Sequence, residues 1–552
     1  MHLARRVILK DILFLSIIIC LFFGVFLGSR ALSVPDEARY TEIPRYMVMS
    51  GDYVTPRLNG IKYFEKPPLM YWLEASSIKL FGVEEWALRF WPAFLSLLTC
   101  LATYFVASKI YSRQVGIFAA IVLASSLLFN FISRLIILDV AVTCFLSLTL
   151  YSFLLAVREE TGKKQAIYLS IFFVSAALSV LSKGLIGVVI PGAIIVLWAL
   201  FTKQYNKILL AFKPWGILLF LAVAAPWHIL VAMRNHEFLW FYFVHEHFLR
   251  YLTSVHSRSQ PVWFFVPLLV FGWFPWIGYF LGALRDHVRQ IWQGNAQNKK
   301  ELVFLLTWAG FIFIFFSLSN SKLIPYITPA LPPLAIMIGK TLTDIWYGHR
   351  EDQAIIRLSS VMGGIVLIAF CITAYARELL FQQDFRGNFI SIVIILLLFS
   401  VVIPCLRRMV SSRAAIIGNM ILSFFLIAAI QLGWEKADPR SVKELVMKVI
   451  ALRQPDDKIA TIRYDSQDIA PYMNQKISVI GYTSGELMFG MQHDDTSSWM
   501  LSVDDFAKQC QSGQIFYVIA DESDWNHMMK ARLTGFHVIA RKEKNILITN
   551  KK

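Results

Sequence analysis

The acidic and basic residues that interrupt the apolar runs of this 552-residue chain are few enough to be read one by one. Asp36 and Glu37 directly follow Pro35, just past the first apolar run, and Asp139 lies in Ile136-Ile137-Leu138-Asp139-Val140, five positions after Arg134. A carboxylate at a bilayer boundary among apolar neighbours is expensive and points to function. The work open to it is general acid–base catalysis or the orientation of a substrate. The competing reading is structural, an Arg134–Asp139 or an Arg39–Asp36 salt bridge. Lys66, Arg250 and Lys322 make a second group, each near an expected membrane boundary. Arg suits bidentate recognition of a phosphate and Lys a point contact with one, while snorkelling accounts for any one of them alone. A third group is His245-Glu246-His247-Phe248-Leu249-Arg250-Tyr251. Its histidines are two apart, not the four that put two ligands on one helix face. Joined to a distant carboxylate such as Glu65 they would form a low-coordination metal site, and otherwise an interfacial polar loop.

The elements that must position these groups are membrane spans. Hydrophobic residues make up 57% of the chain and charged ones 16%, with mean hydropathy +0.57. Soluble domains are nearer 45–50% and about 25%, so a cytosolic enzyme is excluded. Apolar runs able to cross about 30 Å of hydrocarbon recur over 8–28, 86–108, 115–132, 140–157, 167–182, 185–202, 214–232, 263–284, 302–319, 323–342, 357–376, 388–406 and 414–433. These predict an all-α polytopic protein of about thirteen spans. The 53 Lys and Arg against 37 Asp and Glu, net +16, would suggest nucleic acid in a soluble chain. Here the basic residues gather in alternate loops, as cytoplasmic loops do, and no nucleic-acid partner is expected. The other side then receives 29–85, 133–139, 233–262, 320–322 and 377–387.

Residues 434–552 read differently, as a small α/β domain outside the membrane, with strands over Lys458–Tyr464, Lys476–Tyr482, Gln514–Ala520 and Phe536–Asn550. The long first loop, 29–85, carries segments 37–49 and 68–81 that suit helices in the membrane interface. The chain holds neither GxxxxGK[ST] nor GxGxxG, and its cytoplasmic loops leave no room for a nucleotide-sugar domain. Chemistry at the outer face needs no nucleotide cofactor and fits a lipid-linked donor.

The run PDEARYTEIPRYMVMSGDYVTPRLNGIKYFEKPPLMYWL, residues 35–73, resembles the aminoarabinose-to-lipid A glycosyltransferases of the GT-C superfamily, distant relatives of protein O-mannosyltransferases. Leu181-Ser182-Lys183-Gly184, Glu246-His247 with Arg250, Ser321-Lys322-Leu323 with Tyr326, and Gly485-Glu486-Leu487 also have counterparts there. The resemblance implies a GT-C membrane domain over 1–433 and a periplasmic C-terminal domain over 434–552, in a monomer of the bacterial inner membrane. It implies transfer of 4-amino-4-deoxy-L-arabinose from undecaprenyl phosphate to a lipid A phosphate at the periplasmic face. Asp36 and Asp139 match the catalytic carboxylates, Lys66 and Arg250 the donor-phosphate ligands, and Arg39, Tyr40, Tyr63 and Tyr326 the cavity lining. Glu65 and His245 fall where a family member holds zinc. Residues 66–72 fit the broad family better than its aminoarabinose branch, so another sugar or acceptor stays open, as in a protein O-mannosyltransferase. A lipid-linked sugar transporter is the alternative outside enzymology.

Overall fold

The computed structural model describes residues 2–249, 260–294, 298–376, 386–437, 440–464, 466–528 and 535–551. They group into two units: Met1–Leu27, Pro92–Ile229 and Leu239–Trp434 form the first, and Gly28–Trp91, Leu230–Phe238 and Glu435–Lys552 the second.

The first unit is helical. Over the described residues of the whole chain, nine helices are long and apolar enough to cross a membrane, or ten if one bent pair counts as a span. The chain is therefore a multi-pass membrane protein. Each of the thirteen expected runs is helical, but three are broken and one is short. Run 115–132 is Arg113–Ser125 followed by a short helix Leu127–Ile132. Run 185–202 is the 17-residue helix Ile186–Thr202. Run 263–284 falls on Val262–Gly272 and Ile277–Trp292, bent by 113°, with Pro275 at the break supplying no N–H to continue the first helix. Run 323–342 opens as a 3-10 helix, Ile324–Ala330, and becomes α-helical only over Leu331–Trp346, because Pro325, Pro329, Pro332 and Pro333 withhold four backbone donors. Helices Leu331–Trp346 and Arg113–Ser125 approach backbone to backbone at Gly339, where an added Cβ would lie 2.8 Å from Ala119 N and from Val115 O. Small residues at such a crossing replace the hydrophobic drive that lipid cannot supply.

The second unit joins the first loop to a sheet. The loop holds helices Asp36–Ser50 and Leu69–Phe81, close to the two interfacial segments expected, and a hairpin of β1 (Arg57–Leu58) and β2 (Ile61–Lys62). Six further strands form one sheet: β3 (Lys458–Ile462), β4 (Ser478–Ile480), β5 (Met500–Leu501), β6 (Phe516–Asp521), β7 (His537–Lys542) and β8 (Asn545–Thr549), in the order β5-β4-β3-β6-β8-β7. The first four are parallel, and β8 and β7 close one edge antiparallel. Phe506, Phe516, Val518, Trp525 and Ile548 are among the residues of its buried core. The tail thus carries a small mixed sheet with helices, in which β5 is unforeseen and the expected run Phe536–Asn550 is divided into the antiparallel pair β7 and β8. Asn59 fastens loop to sheet by exchanging two 3.0 Å hydrogen bonds with the backbone of Ile477.

Candidate active site

In the second unit, Asp36 and Glu37 open helix Asp36–Ser50, where the exposed N–H groups of the first turn favour negative charge. The two carboxylates then diverge. Glu37 is buried and clasped by two guanidiniums: Arg30 reaches it at 2.6 and 2.9 Å and Arg89 at 3.0 and 3.2 Å. Burial alone would raise its pKa, but the two Arg charges overcome that and hold the carboxyl well below its usual range. Glu37 is accordingly a brace. Asp36, one residue earlier, keeps a half-exposed side chain and has Arg39 3.7 Å away, so one of the two expected salt bridges exists without enclosing the carboxylate.

Arg39 is the hub of this cluster. Its Nε lies 3.1 Å from Glu486, which also accepts from Gln467 at 2.9 Å and from the Tyr63 hydroxyl at 3.5 Å. Tyr40 packs on Tyr71 with ring centroids 6.2 Å apart. Burial pushes the Glu486 carboxyl up, Arg39 pulls it down, Glu65 pushes it further up, and the net shift is upward. Burial likewise raises Tyr63, helped by the charges of Glu65 and Glu486. Lys66 donates its Nζ to the carbonyl of Glu65 at 2.8 Å. Asp36, Arg39, Tyr40, Tyr63 and Glu65 are thereby gathered around a glutamate from the C-terminal segment.

In the first unit, Asp139 stands in the first turn of helix Leu138–Arg158. Its partner is Lys183, 2.6 Å away, from the last turn of helix Lys163–Lys183. The Arg134–Asp139 bridge weighed from spacing is replaced by this pair, since Arg134 donates to the carbonyls of Val25 and Phe22 at 2.7 and 2.6 Å. Lys183 also sits 4.4 Å from the centroid of the Tyr326 ring, which makes Asp139, Lys183 and Tyr326 one cluster. Lys322 is buried, with Nζ donating to the carbonyls of Gln260 and Ser319 at 2.9 and 2.5 Å. His245 stacks on Phe241 at 4.9 Å. Arg250 lies outside the described residues.

Among the described residues no group of three or more His, Cys, Asp and Glu could hold a metal ion. Glu65 and His245 belong to different units, and two donors fall short of the three or four that zinc takes from a protein.

Glu486, Gln467 and Lys183 were not among the expected site residues. Lys183 had a signal, as a cation ending an apolar helix. Glu486 had none beyond its resemblance motif, sitting in a polar tail rich in other carboxylates.

Residues 7–243 match the family model described as dolichyl-phosphate-mannose-protein mannosyltransferase, and residues 445–550 the aminoarabinose transferase C-terminal domain. A crystal structure of ArnT from Cupriavidus metallidurans in the apo state matches with TM-score 0.83 at 24% identity, covering 98% of this chain and 97% of that one. An oligosaccharyltransferase from Archaeoglobus fulgidus matches with TM-score 0.50 at 14% identity, over 94% of this chain and 70% of its own. The protein is thus a membrane protein of the GT-C fold. The undecaprenyl phosphate-alpha-4-amino-4-deoxy-L-arabinose arabinosyl transferase 1 of Proteus mirabilis is 33% identical over 362 residues, 65% of this chain and 64% of its own length. The corresponding transferase of Aeromonas hydrophila is 31% identical over 64% of each chain. These matches span about 64% of the length of both relatives. The chain is thus similar to aminoarabinose transferases over about two thirds of its length.

Proposed function

We propose that this protein is an inner-membrane glycosyltransferase that moves 4-amino-4-deoxy-L-arabinose from undecaprenyl phosphate to a lipid A phosphate at the periplasmic face. The names of its relatives support donor and sugar, and the ArnT crystal structure bound to undecaprenyl phosphate supports the lipid carrier. The observation that carries the reading is the Arg39–Glu486 contact. It brings a carboxylate from the segment matching the aminoarabinose transferase C-terminal domain to the first-loop helix that begins with Asp36. Two carboxylates around one guanidinium suit a sugar that carries an ammonium group.

In this reading, residues 1–433 with the loop 29–85 form the catalytic membrane part, and 434–552 lies on the periplasmic side. Lys66, with Arg250 as its expected companion, neutralises the donor phosphate as it leaves, so charge is stabilised where it develops. An acceptor oxygen attacks the anomeric carbon from the opposite face, with inversion. Asp36, solvent-accessible at the head of its helix, orients the acceptor or takes its proton. The Lys183 ammonium, 2.6 Å away, fixes the Asp139 side chain, ready to hold a polar group of the substrate. Tyr40 and Tyr63 stand beside Arg39 and Glu486 and Tyr326 beside Lys183, each as a polar aromatic contact for substrate, and Lys322 braces the turn before its helix. A divalent cation at Glu65 and His245, the ligand pair implied by the resemblance, would need further donors, and no step here runs through it.

Purified protein in detergent should transfer the amino sugar from its undecaprenyl phosphate carrier to lipid A, and Asp36→Asn should abolish or sharply slow that transfer. Full activity in Asp36→Asn would remove Asp36 from the mechanism. Transfer to a peptide instead of lipid A would favour the O-mannosyltransferase reading.

A further inference from the structure

Away from both clusters, the first unit holds a cavity of about 400 Å³ whose lining includes Tyr111, Asp286, His287, Lys340, Asp344 and Arg350. It sits at the end of the unit that carries the basic loops. Asp286 and His287 come from helix Ile277–Trp292, and Lys340 and Asp344 from helix Leu331–Trp346. Charges of both signs are present in pairs: Lys340 bonds Asp344 at 2.5 and 2.7 Å, and Arg350 meets Asp286 at 2.5 Å. Arg350 is further aimed by Thr341 Oγ1 at 3.1 Å. His287 is 5% exposed and donates Nδ1 to the carbonyl of Ala283 at 2.7 Å. Its Nε2 is left as an acceptor with no protein partner among the described residues.

This pattern selects a ligand. A bare anion would have to approach each cation beside a carboxylate already within 2.7 Å of it, and that like-charge juxtaposition is unfavourable. A group carrying its own ammonium a few bonds from its phosphate meets no such penalty: the phosphate takes Lys340 and Arg350, and the ammonium takes Asp286, Asp344 and His287 Nε2. Helix Ile277–Trp292 also leaves Val288 38% and Trp292 87% exposed near this end, as befits an aromatic at the headgroup level of a bilayer. The geometry points to a binding site for the phosphoethanolamine headgroup of a phospholipid in the leaflet opposite the transfer chemistry. It concerns neither the sugar donor nor the acceptor, and only the choice of leaflet rests on the transferase reading.

The test is native mass spectrometry of full-length protein released from vesicles of equal phosphatidylethanolamine, phosphatidylglycerol and phosphatidylcholine. Phosphatidylethanolamine should be retained about fivefold over phosphatidylglycerol, and also over phosphatidylcholine, whose quaternary nitrogen donates no hydrogen bond. The neutral double variant Lys340→Gln/Asp344→Asn should bring the ratios towards one. Equal retention of the three lipids by the unaltered protein would overturn the proposal, whatever the fate of the variant. Binding of soluble O-phosphoethanolamine without retention of the lipid would overturn its lipid source.

Discussion

Lys183 Nζ lies 2.6 Å from Asp139 Oδ1 and 4.4 Å from the centroid of the Tyr326 ring. One lysine therefore ties together two expected site residues that are 187 positions apart in the sequence. In a partly buried setting, removing one member of an ion pair leaves the other uncompensated. Lys183→Ala should lower kcat of the transfer by roughly tenfold or more, with Lys183→Arg recovering part of it. Combining Lys183→Ala with Asp139→Asn should cost little beyond either single change, because the two side chains act as a unit. Steady-state kinetics of the three variants would show this, and strict additivity would separate the residues.

The Arg39–Glu486 contact predicts a different kinetic signature. If Glu486 holds the sugar's ammonium group, Glu486→Gln should raise the donor KM by about tenfold and change kcat less. Burial, reinforced by Glu65, sets the Glu486 pKa above that of an ordinary glutamate. Its charge is therefore lost at a higher pH than usual as the solution is acidified. The donor KM should rise on the acid side, and the Glu486→Gln variant should lack that rise.

Glu37 tests the brace. Two guanidiniums on one buried carboxylate leave two uncompensated charges when it is removed. Glu37→Gln should destabilise by about 3–5 kcal/mol, read as a fall in Tm in detergent. Because its folded pKa is depressed, its stabilisation is complete above the ordinary glutamate value of about 4.3. It is lost as pH falls below that value.

Asp468 has the opposite sign. Burial pushes its carboxyl up to about 6, against the hydrogen bonds from Ser441 and the Val442 N–H. The folded state then binds a proton that the unfolded chain has released, so stability falls as pH rises from about 4 towards 6. Asp468→Asn should flatten this slope in thermal melts while changing transfer activity little.

The parts of the molecule legible in the sequence are those with local contrast. Asp36 stands out because it follows a proline beside an apolar run, and the membrane helices stand out by length and composition. Partners set by tertiary packing were not legible. Arg134 is five residues from Asp139, yet it turns to the carbonyls of Phe22 and Val25, while the partner of Asp139 is 44 residues away. Glu486 and Arg39 are separated by more of the chain than any pattern spans. The breaks in three runs depend on where prolines and serines release backbone groups, which hydropathy does not register. Arg45 and Glu42, buried together at 2.6 and 2.8 Å in the same helix as Asp36, would read from their spacing alone as an exposed surface pair.

The central claim is that lipid A receives the amino sugar, and mass spectrometry of lipid A measures it most directly. Lipid A from cells with and without this chain should differ by the mass of 4-amino-4-deoxy-L-arabinose, and the added mass should disappear with Asp36→Asn. Identical lipid A profiles in cells that make the undecaprenyl-phosphate-linked donor would contradict the account.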